Sequence, residues 1–383
     1  MKKIIKRFIS LLPVKKRIIL ESHPDFSGNT YQVFEQMLQY KLNDTHEITW
    51  LVENPGKFSH INIKNVTFRK YYTNTKKEKL SLFLYKASAQ VLVFENKLIG
   101  KANSKTKSIF LNHGTLLKNT KGLYAPEKSV DYVISASENI NHIYEYAYDI
   151  SSDIIKPLGY PRNDLLFEDK KVDWGQFFDD FQGEKIIIWM PTFRQHNSGQ
   201  RNDTENSSQK LPLGIPILYN EEMLKDMNDY LKKHNVFLVL KAHYAQNLEF
   251  IKVNNLSHFK ILSDQQLLDK GTSLYEALPS TDALITDYSS IYFDYLLLNK
   301  PIGLTNDDID DYKIGFMYEN IDEVLVGETI TDCKMLRHFV SNVANDLDVH
   351  RELRQKVNDY FNKYQDGESA KRVFELVKQT LRI

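Results

Sequence analysis

Short β-branched runs alternate with longer helical patterns through most of this chain, and that alternation narrows the possible folds more than any other feature. From Arg17 onward the runs predict strands at residues 17–21, 48–53, 66–71, 91–95, 108–112, 132–135 and 154–158, with helices between them, notably at 30–40 and 138–148. A second series follows at 185–189, 236–240, 260–262, 283–286 and 301–304. Such alternation is the signature of a parallel sheet covered by helices, so two series predict an α/β protein of two Rossmann-like, doubly wound domains. The expected domains are 17–165 and 166–345, preceded by a helix at 1–16. Residues 346–383 close the chain as helices, with Tyr360, Tyr364, Val373, Val377 and Leu381 at four-residue spacing. Pro157, Gly159 and Pro161 mark residues 156–167 as a hinge, and a ligand is expected in the cleft between the domains, at the carboxyl ends of the strands.

A length of 383 residues suits two domains. The 50 Lys and Arg balance the 50 Asp and Glu, so no global field draws the chain to nucleic acid, and no nucleic-acid partner is expected. The single cysteine, Cys333, excludes a disulfide framework and a cysteine zinc cluster, and a reducing compartment fits. The neutral total hides an uneven distribution. Lys2, Lys3, Lys6, Arg7, Lys15, Lys16 and Arg17 stand with no acid among them, leaving 43 basic against 50 acidic groups in the remainder. On a helical wheel Ile4, Ile5, Phe8, Ile9, Leu11 and Leu12 share one face, and Pro13 ends the pattern. This segment is too short to span a bilayer and lacks a signal-peptide core. It predicts a basic amphipathic helix lying in an anionic membrane surface on the cytoplasmic side, the alternative being an ordinary surface helix docked on its own domain.

The chain has no G-x-G-x-x-G fingerprint, Walker-A loop, H-E-x-x-H or G-x-S-x-G elbow, and no metal ligand set is expected. The acidic run Asp307, Asp308, Asp310 and Asp311 reads as a solvated loop, or as a D-x-D holding a cation on a nucleotide diphosphate, and the polar stretch at 195–210 as a linker or a lid over the cleft. The clearest positive signal is ALITDYSS at 283–290, where a buried strand ends at Asp287 and Ser289 and Ser290 stand at the next helix start. Amides, a positive dipole end and two hydroxyls there suit a phosphate, or an ordinary helix cap with nothing bound. LNHGTLLK at 111–118 brings His113, Gly114, Thr115 and Lys118 to another strand end, where an imidazole is able to take a proton from an attacking alcohol. LKAH at 240–243 offers Lys241 and His243 for phosphate charge, and MPTFR at 190–194 offers Thr192 and Arg194.

H-G-T-x-L-K at 113–118, G-Y-P-R-N-D at 159–164, P-T-F-R at 191–194, K-x-H at 241–243 and L-I-T-D-Y-S-S-x-x-F-D-Y at 284–295 occur in one order. Together they resemble the CDP-glycerol glycerophosphotransferase family, which makes teichoic acids and related phosphopolyol capsules. The resemblance implies a GT-B-like fold with an N-terminal acceptor domain and a C-terminal CDP-donor domain, peripheral at the cytoplasmic membrane face. It implies CDP-glycerol or CDP-ribitol as donor, with no further cofactor, and a lipid-linked glycan or polyol-phosphate acceptor. Carried over, His113 is the general-base candidate and His243 assists at the donor pyrophosphate, with Asp287, Ser289, Ser290 and Arg194 at the donor. Gly114, Thr115, Lys118, Arg162, Asp164, Thr192 and Lys241 complete the expected substrate contacts. Asn112, Leu116 and Tyr244 depart from the family's usual Trp, Pro and Pro, which bears on acceptor preference and loop shape. No long domain precedes the first βα series, which favours a compact primase-like or capsule enzyme. A nucleotide-sugar glycosyltransferase and a non-catalytic membrane scaffold are the alternatives.

Overall fold

The computed structural model describes residues 13–96, 99–192, 213, 215–241, 256–306, 309 and 314–383. Most of the expected helix at 1–16, the whole stretch at 195–210 and most of the acidic run at 307–311 lie outside the described residues. The chain forms two compact units, one of residues 1–115, 120–164 and 361–383, the other of residues 116–119 and 165–360.

Unit 1 runs β1 (Lys15–Glu21), α1 (Gly28–Gln39), β2 (Glu47–Val52), β3 (Val66–Lys70), α2 (Lys76–Ala87), β4 (Ala89–Phe94), β5 (Lys107–Phe110), β6 (Tyr132–Ser135), α3 (Asn141–Tyr148) and β7 (Ile155–Pro157). Its seven strands pair in the order β3-β2-β1-β4-β5-β6-β7, all parallel, with Ile18 of β1 opposite both Ile48 and Val91. Ile18, Ile19 and Leu20 are all fully buried, as a strand covered on both faces requires. The strand order reverses between β1 and β4, where a doubly wound sheet opens its crevice. At the start of α1, Ser27 has the extended backbone of a cap, yet the group that meets the helix amides is Glu95, just beyond β4. Its Oε2 accepts from the Thr30 amide at 2.9 Å. A Cβ on Gly28 would lie 2.3 Å from Glu95 Oε1, and φ there is +69°, so the site accepts only glycine.

Unit 2 runs β8 (Lys185–Met190), α4 (Glu221–Lys233), β9 (Val236–Lys241), β10 (Phe259–Leu262), α5 (Asp264–Asp269), α6 (Leu274–Ala277), β11 (Ala283–Thr286), α7 (Ile291–Tyr295), β12 (Ile302–Leu304), β13 (Glu328–Thr329), α8 (Cys333–Ala344) and α9 (Arg351–Phe361). The sheet order is β10-β9-β8-β11-β12-β13, again parallel, with the reversal between β8 and β11. One face packs Ile187, Trp189, Leu238 and Ile285 against α4 and α8, and the other packs Phe237 and Val239 against Trp174 and Phe178. Asn220 caps α4 through the Met223 amide at 2.9 Å, with Glu221 and Glu222 in the first turn and Lys232 and Lys233 in the last. Both charge placements suit the helix dipole.

The chain then returns to unit 1 as α10 (Ser369–Leu381). Val373, Phe374, Val377 and Leu381 enter the same core as Val33, Phe34 and Met37 of α1. Asp164 holds the start of α10, its two oxygens accepting the Ser369 and Ala370 amides at 2.8 and 2.7 Å. The expected pair of doubly wound parallel sheets is present, with strand ends within two residues of those read from the sequence. The two-residue β13 has no hydrophobic run to announce it. No helix among the described residues is long and apolar enough to cross a membrane.

Candidate active site

In unit 1 the loop after β5 presents His113. Asn112 ahead of it adopts φ +58°, a conformation Asn tolerates better than most side chains. Its Nδ2 donates to the Ile134 carbonyl at 2.7 Å, its Oδ1 accepts from Tyr148 at 2.8 Å, and its carbonyl accepts from Asn29 Nδ2 at 2.9 Å. Asn112 therefore ties the His113 loop to β6, α3 and α1. The His113 side chain is exposed, hydrogen-bonds the main chain of Glu95, and meets the Tyr124 ring edge-on at 5.7 Å. Its donated N–H leaves the other ring nitrogen to accept a proton. Its pKa is held down to about 4, first by the dehydrating surroundings and second by the Arg162 guanidinium. Water on the open side of the ring offsets part of the first effect, but the charge of Arg162 acts in the same direction, toward a neutral imidazole. Gly114 takes φ +138°, and Thr115 is buried beside Tyr160.

Two buried acids stand behind this loop at the β1/β4 reversal. Glu21 ends β1 and accepts the Asn96 amide on Oε2 at 3.2 Å. Glu95 follows β4, and its carboxyl is pushed up to about 8, chiefly by burial and further by Glu21, against the pull of the Thr30 amide and Arg162. Arg162 is positioned through its own amide, which donates to Asn29 Oδ1 at 3.0 Å. Glu21 and Glu95 stand outside every motif read from the sequence. Asp164, expected at the substrate, has both oxygens on the amides of α10.

In unit 2, Thr192 and Asp287 meet where β8 and β11 end: the Thr192 amide donates to both Asp287 oxygens at 2.8 Å. Lys241 ends the adjacent β9, with its side chain 6% exposed and paired to Asp264 at 2.9 Å. Ser290 stands at the start of α7 but is already helical, with φ −63° and ψ −16°, and among the described residues its hydroxyl takes no amide of the helix. The extended backbone that a side-chain cap needs is missing, so capping does not account for Ser290. Lys118 pairs antiparallel with Phe316, extending a contact in which the Asn119 amide donates to Gly315 at 2.9 Å. Arg194 and His243 lie outside the described residues. The structure thus gathers His113, Gly114, Thr115 and Arg162 in one unit, and Thr192, Lys241, Asp287, Ser289 and Ser290 at neighbouring strand ends in the other.

Residues 4–379 match the model of a protein family described as CDP-glycerol:poly(glycerophosphate) glycerophosphotransferase. The chain is 27% identical over 410 residues to a teichoic acid poly(glycerol phosphate) polymerase of Bacillus spizizenii, covering 97% of this chain and 94% of that one. It is 24% identical over 405 residues to the teichoic acid ribitol-phosphate polymerase TarK of Staphylococcus aureus, covering 99% and 71%. Among solved structures, the wall teichoic acid polymerase TagF superposes with a TM-score of 0.72 at 21% identity, covering 98% of this chain and 93% of that one. That likeness assigns the fold class as GT-B-like.

Proposed function

The chain belongs to the CDP-glycerol:poly(glycerophosphate) glycerophosphotransferase family, and from that premise we propose that it transfers glycerol phosphate or ribitol phosphate from a CDP-polyol to a hydroxyl of a lipid-linked teichoic acid or capsule acceptor, releasing CMP. The observation that carries this reading is the state of His113. One ring nitrogen is committed to the Glu95 main chain, and Arg162 disfavours protonation of the other. A neutral, oriented imidazole is what a general base at neutral pH needs. The acceptor alcohol gives its proton to His113 as its oxygen attacks the β-phosphorus. The bond from that phosphorus to the bridging oxygen breaks, and the electrons leave with CMP.

Charge relief at the transferring phosphoryl group is the larger requirement. Lys241, Arg194 and His243 are the cationic or donor groups proposed to supply it, with the hydroxyls of Ser289 and Ser290. Asp287 acts through Thr192, whose amide it holds. The basic residues ahead of Arg17 are proposed to keep the enzyme on the cytoplasmic face of the membrane, near its lipid-linked acceptor; Arg17 itself is buried in β1 and paired with Glu47 at 2.7 Å. The test is a donor screen on the purified chain with a lipid-linked acceptor. CMP release from CDP-glycerol or CDP-ribitol, with none of UDP from UDP-sugars, is the expected result. UDP release alone would overturn it.

A further inference from the structure

A cavity of about 380 Å³ opens in unit 1 beyond the carboxyl ends of β2 and β3, against the first turns of α2. Phe68 and Tyr72 give it apolar walls, while Arg69, Lys70 and Lys77 bring three cations to its lining. The one acid there, Glu78, is already committed: its Oε2 accepts the Asn74 and Thr75 amides at 3.1 and 2.9 Å. All three cations are exposed, and Arg69 is further held with its guanidinium 3.7 Å from the Tyr85 ring centroid. The cavity is therefore a cationic cup with one rigid and two adaptable donors, a composition that suits a phosphate ester carrying a carbon chain.

Its place in the sheet says what kind of ligand would use it. All strands of unit 1 are parallel, so the carboxyl ends of β3 and β5 lie on the same edge. His113 follows β5, four strands across from β3, which is roughly 19 Å at the usual strand spacing. A single polyol phosphate does not reach from one to the other, but a polymer or lipid-linked acceptor carrying several phosphate esters does. We infer that this cavity is an anion subsite that holds a phosphate ester of the acceptor remote from the hydroxyl presented to His113. The inference rests on the transferase reading above.

The test compares the full chain with its Lys70→Glu/Lys77→Glu variant, both substitutions being at exposed positions. Two binding assays need no turnover: one uses a soluble glycerol phosphate oligomer, the other uses anionic phospholipid vesicles against neutral ones. About tenfold weaker binding is expected for the oligomer if the polymer's phosphodiesters fill the site, or for the anionic vesicles if the lipid phosphate does. The acceptor KM should rise in step, with kcat and the donor KM unchanged. Unaltered affinity for both probes, or a variant that loses kcat rather than acceptor KM, overturns the subsite. Lysine-dependent binding of the oligomer by a chain that releases no CMP would instead overturn the transferase reading and leave the subsite standing.

Discussion

The amide of Thr192 donates to both carboxylate oxygens of Asp287 at 2.8 Å, across the point where the strand order of the second sheet reverses. The first sheet has a counterpart at its own reversal, where the Asn96 amide donates to Glu21 Oε2 at 3.2 Å. In each unit a buried carboxylate on one strand end thus fixes the chain leaving the next. Asp287 in particular holds the Thr192 amide, at the start of the chain that leads toward Arg194 in sequence.

Asp287→Ala removes the acceptor of a buried amide and is expected to cost about 1–3 kcal/mol of stability. Asp287→Asn keeps one carbonyl oxygen and should cost less. Urea denaturation of both variants decides, and equal losses would contradict this role.

His113→Ala should lower kcat by about 10²- to 10⁴-fold with an unchanged circular dichroism spectrum. The folded imidazole is held down to about 4 from an ordinary 6.5, so the base form persists at neutral pH and is lost only as pH falls through the folded value. Between those values the unfolded chain binds a proton that the folded one refuses, so acidification across this window weakens the fold. Arg162→Ala removes a neighbouring positive charge and should move the acid limb of kcat/KM to higher pH. A stationary limb would separate Arg162 from the base.

Glu95 gives the opposite slope. Its folded pKa is pushed up to about 8 from 4.5, so the folded chain holds a proton that the unfolded chain has released, and stability falls as pH rises through that window. Glu95→Gln keeps an acceptor for the Thr30 amide and carries no charge. Its Tm relative to the parent should climb between pH 6 and pH 9, and a constant difference would show that Glu95 is ionised throughout.

Asp164→Ala uncaps α10 and should cost about 1–2 kcal/mol, near the upper end for a helix cap because two amides lose their acceptor. Thermal unfolding of the variant checks this. An effect confined to acceptor KM would instead return Asp164 to the substrate.

The sheets were legible in the sequence because their strands are uninterrupted apolar runs: Ile18 to Leu20 and Val236 to Leu240 are buried on both faces and look alike in sequence and structure. The strand-end motifs were legible for the same reason, since each follows such a run. Glu21 and Glu95 were missed because a single acid carries no pattern; what distinguishes them is burial against amides from distant segments, which no local spacing encodes. Asp164 shows the converse limit. It stands in a recognisable motif, yet its partners are the amides of Ser369 and Ala370, about two hundred positions later.

That late partnership bears on how the chain is made. The core of unit 1 includes α10, while residues 165–360 of unit 2 are contiguous. During synthesis the second unit has all of its residues in hand before the first has its final helix, so Val33, Phe34 and Met37 wait for Val373 and Val377. Until then the nascent first unit exposes an apolar face, a state in which chaperones bind and proteases cut. A chain that stops before residue 369 therefore leaves this face of the first core uncovered.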